Sequence, residues 1–118
     1  MKFHDAVYAM IKYSKMQQSK VFVCTNDNSF VVEVNGKIVR MGVRLCRLRK
    51  NGRIAFNNCD FNSAKQRIPT KCDRLILITP VGLHYVIDPR NYEEKHVTIE
   101  TKRLLGVAEW YSLAKLHY

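Results

Sequence analysis

Between Lys37 and Arg53 the chain carries seven basic side chains and no acid: Lys37, Arg40, Arg44, Arg47, Arg49, Lys50 and Arg53. Cations at this density suit the holding of a polyanion, since each can neutralise a phosphate and displace its counterion. Arginine adds a planar fork of donors that matches phosphate oxygens. Divalent-metal chemistry needs the opposite, because hard cations take anionic oxygen ligands. The carboxylates that precede the stretch are Asp5, Asp27 and Glu33. Two readings of these three stand side by side. In one they form a displaced metal-binding cluster. In the other, which carries more weight, Asp27 forms a turn, Glu33 pairs with a neighbouring arginine and Asp5 favours a helix N-terminus.

The elements that would position these side chains can be read from pattern. Ser29 to Val34 alternates as a strand and is followed by Asn35-Gly36, a strong hairpin signal. From Lys37 the apolar residues Val39, Met41, Val43 and Leu45 alternate with Arg40, Gly42, Arg44 and Cys46. One face is thereby buried, and Arg40 and Arg44 point together from the other. After Leu45 the parity slips by one residue, which predicts a bulge or sharp twist before Lys50. Asn51-Gly52 is a second turn, and Arg53 to Phe56 a further strand.

Elsewhere, the spacing of Phe3, Val7, Met10 and Ile11 predicts an amphipathic helix over residues 3–17. Lys20 to Thr25 reads as a strand, and Asn57 to Thr70 as a polar loop with a helical turn near Asn62–Gln66. Arg74 to Thr79 and Leu83 to Ile87 are apolar enough to lie centrally in a sheet. Val97 to Thr101 reads as an edge strand. Leu104 to Leu116 is expected to close the chain as a helix that buries Leu105, Ala108, Trp110, Leu113 and Leu116. The fold class expected is α/β, a mixed sheet with helices at both ends, in one domain spanning residues 1–118.

At this point the chain resembles the PD-(D/E)XK endonuclease superfamily, in particular its small group-I-intron homing endonucleases and resolvase-like members. The family pattern is an acid-bearing helix, a strand, an Asp opening the next strand, a tight turn, then an acid-x-Lys or Gln-x-Lys segment. Ser29-Phe-Val-Val-Glu-Val-Asn-Gly-Lys-Ile-Val-Arg-Met-Gly-Val-Arg44 matches that spacing, and Cys72 to Pro89 resembles the later strand pair. The likeness runs from residue 4 to about residue 92 and implies a restriction-endonuclease-like sheet. Asp5 roughly matches a helix acid that some members use. The departures fall on the chemistry. Ser29 stands where the family places its metal-binding Asp, Gly42 where it places Glu, Asp or Gln, and Arg44 where it places the catalytic Lys. Serine and glycine cannot hold Mg²⁺, and arginine stays protonated and cannot serve as a base.

The function expected is therefore nucleic-acid binding, to duplex DNA above all, by a catalytically degenerate nuclease fold. The seven basic residues would make the phosphate contacts without a metal cofactor, and a homodimer would match relatives that act with two-fold symmetry. A regulatory or architectural role and a phage or mobile-element origin would fit. The alternatives are a Mg²⁺-dependent endonuclease built on Asp5, Asp27 and Glu33, and a basic inhibitor that docks on an acidic protein. Lys12, Lys15, Lys20, Lys65, Arg67 and Lys71 could extend the basic surface, and Tyr13, Phe61 and Tyr92 could stack on bases.

Composition agrees with a folded nucleic-acid binder. The chain has 118 residues, 47% of them hydrophobic and 25% charged, enough apolar content for one modest core. Its formal net charge is +10. Residues 1–50 contribute 10 basic and 3 acidic side chains, and residues 51–118 contribute 10 and 7, so the anion-binding face should lie in the first half. The most apolar run, Leu75 to Ile87, is broken by Pro80, Gly82 and His84 and is too short to span a bilayer. With no signal-peptide pattern, a cytoplasmic protein free of the membrane is expected. Cys24, Cys46, Cys59 and Cys72 lack metal-ligand spacing and are expected to be reduced and mostly buried. His84, inside an apolar strand, is expected to be a satisfied structural histidine.

Overall fold

The computed structural model describes residues 20–24, 29–34 and 36–117. Its centre is a six-stranded mixed sheet with strand order β1-β2-β3-β8-β9-β11. β1 (Lys20–Cys24), β2 (Ser29–Val34) and β3 (Lys37–Leu45) run antiparallel in sequence. β3 then pairs in parallel with β8 (Arg74–Ile78), and β9 (His84–Ile87) and β11 (Leu105–Gly106) complete the sheet antiparallel. The predicted helix over residues 3–17, which carries Asp5, lies outside the described residues, as do Asp27 and Asn35.

The parity slip after Leu45 marks a change of sheet. Cys46 donates its N–H to Ile78 O at 2.8 Å, the last bond to the central sheet. The chain then enters β4 (Arg47–Arg49), which pairs with β5 (Arg53–Asn57), and β5 pairs with β10 (His96–Glu100). The expected bulge or twist is thus a passage from one sheet to another. The turn between β4 and β5 is the one the dipeptide announced. Asn51 and Gly52 both adopt positive φ, 63° and 69°, a conformation those residue types tolerate.

The segment expected to be a loop, Asn57 to Thr70, is instead a hairpin of β6 (Cys59–Phe61) and β7 (Arg67–Pro69). Asn62 closes its tip by accepting the N–H groups of Ala64 and Gln66 on Oδ1, each at 3.0 Å. Strands of three residues each give no readable alternation, and a proline within β7 weakens the strand signal further.

Two apolar clusters flank the central sheet. On one face Phe30, Val32 and Val34 of β2 pack with Val39, Met41 and Val43 of β3, Ile76 and Ile78 of β8, and Trp110. On the other, Leu75, Leu77 and Ile87 meet Ile54, Phe56 and Val97 of the second sheet. β8 therefore has apolar residues on both faces, as its parallel, central position requires. The helix α1 (Val107–His117) covers the first cluster with Val107 and Trp110. Glu109 turns back to accept the Gly106 N–H at 3.2 Å, which caps the first turn. Of the buried face expected for this helix, Trp110 is buried and Leu105 half-buried as part of β11, whereas Ala108 and Leu113 are exposed and Leu116 lies where side chains are not described. The helix starts three residues later than expected, at Val107, because Leu105 and Gly106 pair with Val86 and Tyr85. Among the described residues, no helix is long and apolar enough to cross a membrane.

Candidate nucleic-acid interface

Strand pairing brings the three family-like positions together. Ser29 and Gly42 are direct cross-strand partners, and Arg44 follows two residues on, on the same face. This face of β2 and β3 is the one opposite the helix-covered cluster, and it also carries Val31, Glu33 and Arg40.

What fills the three positions is specific. Ser29 is buried, and its Oγ accepts a hydrogen bond from Arg40 Nη2 at 3.4 Å. Gly42 is roofed over. A Cβ placed there would sit 2.9 Å from Cys72 Sγ and 3.0 Å from Leu75 Cδ2, so no larger residue fits without displacement. The Cys72 thiol is pushed up to about 11, chiefly by burial, with the nearby Arg44 charge opposing the rise. It is a neutral packing group, not a thiolate ligand.

Arg44 is spent inside the fold. Its Nε donates to Asn57 O at 3.0 Å, Nη1 to Val43 O at 3.1 Å and Nη2 to Cys59 O at 3.3 Å, and Nη2 also pairs with Asp60. The sequence reading gave it a phosphate contact. The structure gives it a carboxylate partner and three carbonyls. Asp60 was missed because it lies 16 residues away, in a segment that carries no strand signal. Glu33 is on this face, but among the described residues no group of three His, Cys, Asp or Glu side chains converges.

The remaining cations are distributed over both sheets. Lys37 and Arg40 are exposed on β3. The Arg40 backbone exchanges two hydrogen bonds with Asp73, N–H to Oδ2 at 2.8 Å and O from the Asp73 N–H at 2.9 Å. Lys37 and Asp73 line a hollow of about 260 Å³ with Arg74 and Arg90. Both of those arginines pair with Asp88, at 3.3 and 3.0 Å. The Arg90 hydrogen bond, more than any other influence, holds the Asp88 carboxyl below its ordinary value. Asp88 also accepts the Arg90 backbone N–H and so caps the turn after β9.

Arg47, Arg49, Lys50 and Arg53 are all exposed on the β4–β5 hairpin. Arg49 stands directly opposite Arg53 in the ladder, a like-charge pair that opposes folding. Arg53 has one partner across the sheet, Glu100, at 3.5 Å. Asp5 and Asp27 fall outside the described residues, so the structure places neither. Of the possible stacking aromatics, Phe61 is exposed at 59%, and Tyr92 is half-buried in an edge-to-face contact with Phe56, ring centroids 6.3 Å apart. Cys46, Cys59 and Cys72 are free thiols. His84 is half-buried, but its Nε2 has no hydrogen-bond partner, contrary to the satisfied state expected, and burial lowers its pKa.

No protein-family model and no curated protein matches the sequence. In its fold the chain is similar to the solved structure of a bacterial homing endonuclease, I-Ssp6803I, with a TM-score of 0.58 and 18% identity. The match covers 77% of this chain and 70% of that chain. The chain as a whole thus has a homing-endonuclease-like fold.

Proposed function

We propose that this chain binds nucleic acid, duplex DNA above all, through Lys37, Arg40, Arg47, Arg49, Lys50 and Arg53, and does not cut it. One observation carries the reading. Where the resembling nucleases hold metal, this chain has a serine bonded to Arg40, a glycine roofed by Cys72 and an arginine tied to Asp60. The exposed cations of β3 and the β4–β5 hairpin, on a chain of net charge +10, favour a phosphate backbone as ligand. Strand-borne arginines at these positions hold phosphates and give no direct base readout. The role is regulatory or architectural, self-association into a dimer on DNA belongs to the same proposal, and an origin in a phage or mobile element suits it.

The test is a mobility-shift series over salt with duplex DNA, single-stranded DNA and RNA side by side, with Mg²⁺ or Mn²⁺ lanes scored for cleavage. Duplex affinity should fall steeply with salt, and the DNA should stay intact. Metal-dependent cleavage that disappears in Asp27→Ala or Glu33→Ala would overturn the proposal in favour of displaced carboxylates. Failure to shift any nucleic acid at low salt would point to an acidic protein as the partner.

A further inference from the structure

A cavity of about 380 Å³ opens between the β6–β7 hairpin and the segment that follows β9. That volume lies within the range of about 300–1,000 Å³ common to small-molecule sites. Nothing in the candidate interface uses it, yet its lining is chemically specific. Asn58 and Thr70 both line it, and Asn58 Oδ1 and Thr70 Oγ1 are buried atoms without a hydrogen-bond partner. Buried polar atoms are normally satisfied, so two orphans at one cavity call for an explanation.

The orientation of Asn58 makes its orphan an acceptor. The residue is 7% exposed. Its Nδ2 donates to Pro89 O at 3.2 Å and to Tyr92 O at 2.9 Å, and its backbone N–H donates to Lys95 O at 2.8 Å. Flipping the amide would set its oxygen against two carbonyl oxygens, so Oδ1 is fixed as the free atom. Arg44 holds the carbonyls on either side, Asn57 O and Cys59 O, so the acceptor sits on a fastened backbone.

The ligand can be read from these constraints. It must offer an N–H or O–H to Asn58, which excludes a bare anion at that depth. It must be partly apolar, because Ile68, Pro69, Pro89 and Tyr92 line the cavity. It must carry negative charge at one end, because Arg67 and Lys95 stand exposed along the cavity beside Glu93, while Arg90 is already paired with Asp88. We propose that the cavity receives one unstacked nucleobase, its donor edge on Asn58 Oδ1 and its phosphate at the cationic rim. This deepens the nucleic-acid reading and rests on it for the source of the base. The same chemistry also describes a free mononucleotide.

The experiment has two arms. In calorimetry the intact chain is titrated with the four deoxynucleoside monophosphates, with phenyl phosphate and with inorganic phosphate. At least one nucleotide should saturate, and phenyl phosphate, which has no ring donor, should bind about tenfold more weakly. In the second arm, a duplex bearing one unpaired 2-aminopurine is compared with its fully paired form. Fluorescence of the unpaired base should change on binding, and affinity should exceed that of the paired duplex. Ile68→Trp, which fills the cavity, should abolish nucleotide binding and the fluorescence change while paired-duplex affinity stays within about twofold. Arg67→Ala, at an exposed position where folding is not at risk, should weaken nucleotide binding alone. Equal binding of phenyl phosphate and nucleotide, or an unchanged response in Ile68→Trp, overturns the assignment. If duplex DNA shifts but neither nucleotide nor unpaired base responds, the cavity assignment falls and the duplex reading stands. If nucleotides bind but no polymer shifts, the site stands as one for free nucleotides and the duplex reading falls.

Discussion

At Gly42 and Arg44 the proposed exchange of cutting for holding rests on single atoms. Gly42 has no room for a side chain, because Cys72 Sγ already occupies the place of one. Gly42→Ala should destabilise the chain by about 1–3 kcal/mol through overpacking. Pairing it with Cys72→Ala should restore part of that loss in urea unfolding, since the two residues share one space. Arg44 lies beside them and serves a different end. Its side chain is 18% exposed, and its guanidinium is bound to Asp60 and to the backbone of the β5–β6 segment. Arg44→Ala should cost about 2 kcal/mol of stability, because charged hydrogen bonds are lost and Asp60 loses a partner. It should leave the salt dependence of DNA binding unchanged, since this cation is already neutralised within the fold.

The β4–β5 hairpin is where the proposed binding charge resides. Arg47 and Arg49 share one face of β4, and Arg49 stands opposite Arg53. These side chains contribute little to the core, so their removal separates binding from folding. Arg47→Ala combined with Arg49→Ala should lower the slope of log affinity against log salt by about 2, near 0.9 per phosphate contact. The melting temperature should stay level or rise slightly, as a like-charge pair is removed. Mobility shifts over a salt series and a thermal melt check the two halves of the prediction. A double variant that melts early and keeps its salt slope would assign the hairpin to structure.

On the scale of the whole molecule, two titrating groups make stability fall with acidity. Burial lowers the His84 pKa below its ordinary 6.5, so the unfolded chain takes up that proton first. The stability this gives is full above 6.5 and is lost as pH falls through the lower folded value. Asp88 acts at more acid pH. Its folded pKa lies below the ordinary 3.8, foremost through Arg90, so its contribution is full above 3.8 and fades below it. The urea midpoint should therefore decline from near pH 6.5 downward, with a second decline below 3.8. His84→Gln should remove the first decline, and Asp88→Asn the second.

Periodicity alone located β2, β3, β5, β8, β9 and the closing helix, since an alternating or apolar run must bury one face whatever surrounds it. It also marked Leu45 to Cys46 as a break, but a parity slip cannot say that the chain is leaving one sheet for another. The β6–β7 hairpin was invisible because its strands are only three residues each, too short for an alternating pattern, and one of them contains a proline. Composition located the cations, and only the tertiary structure divided them by task. Arg44 and Asp60 meet across 16 residues, Gly42 lies under Cys72, and Asn58 is fastened to the segment after β9. Contacts at such separation depend on how strands from distant parts of the chain register, and no local spacing encodes that.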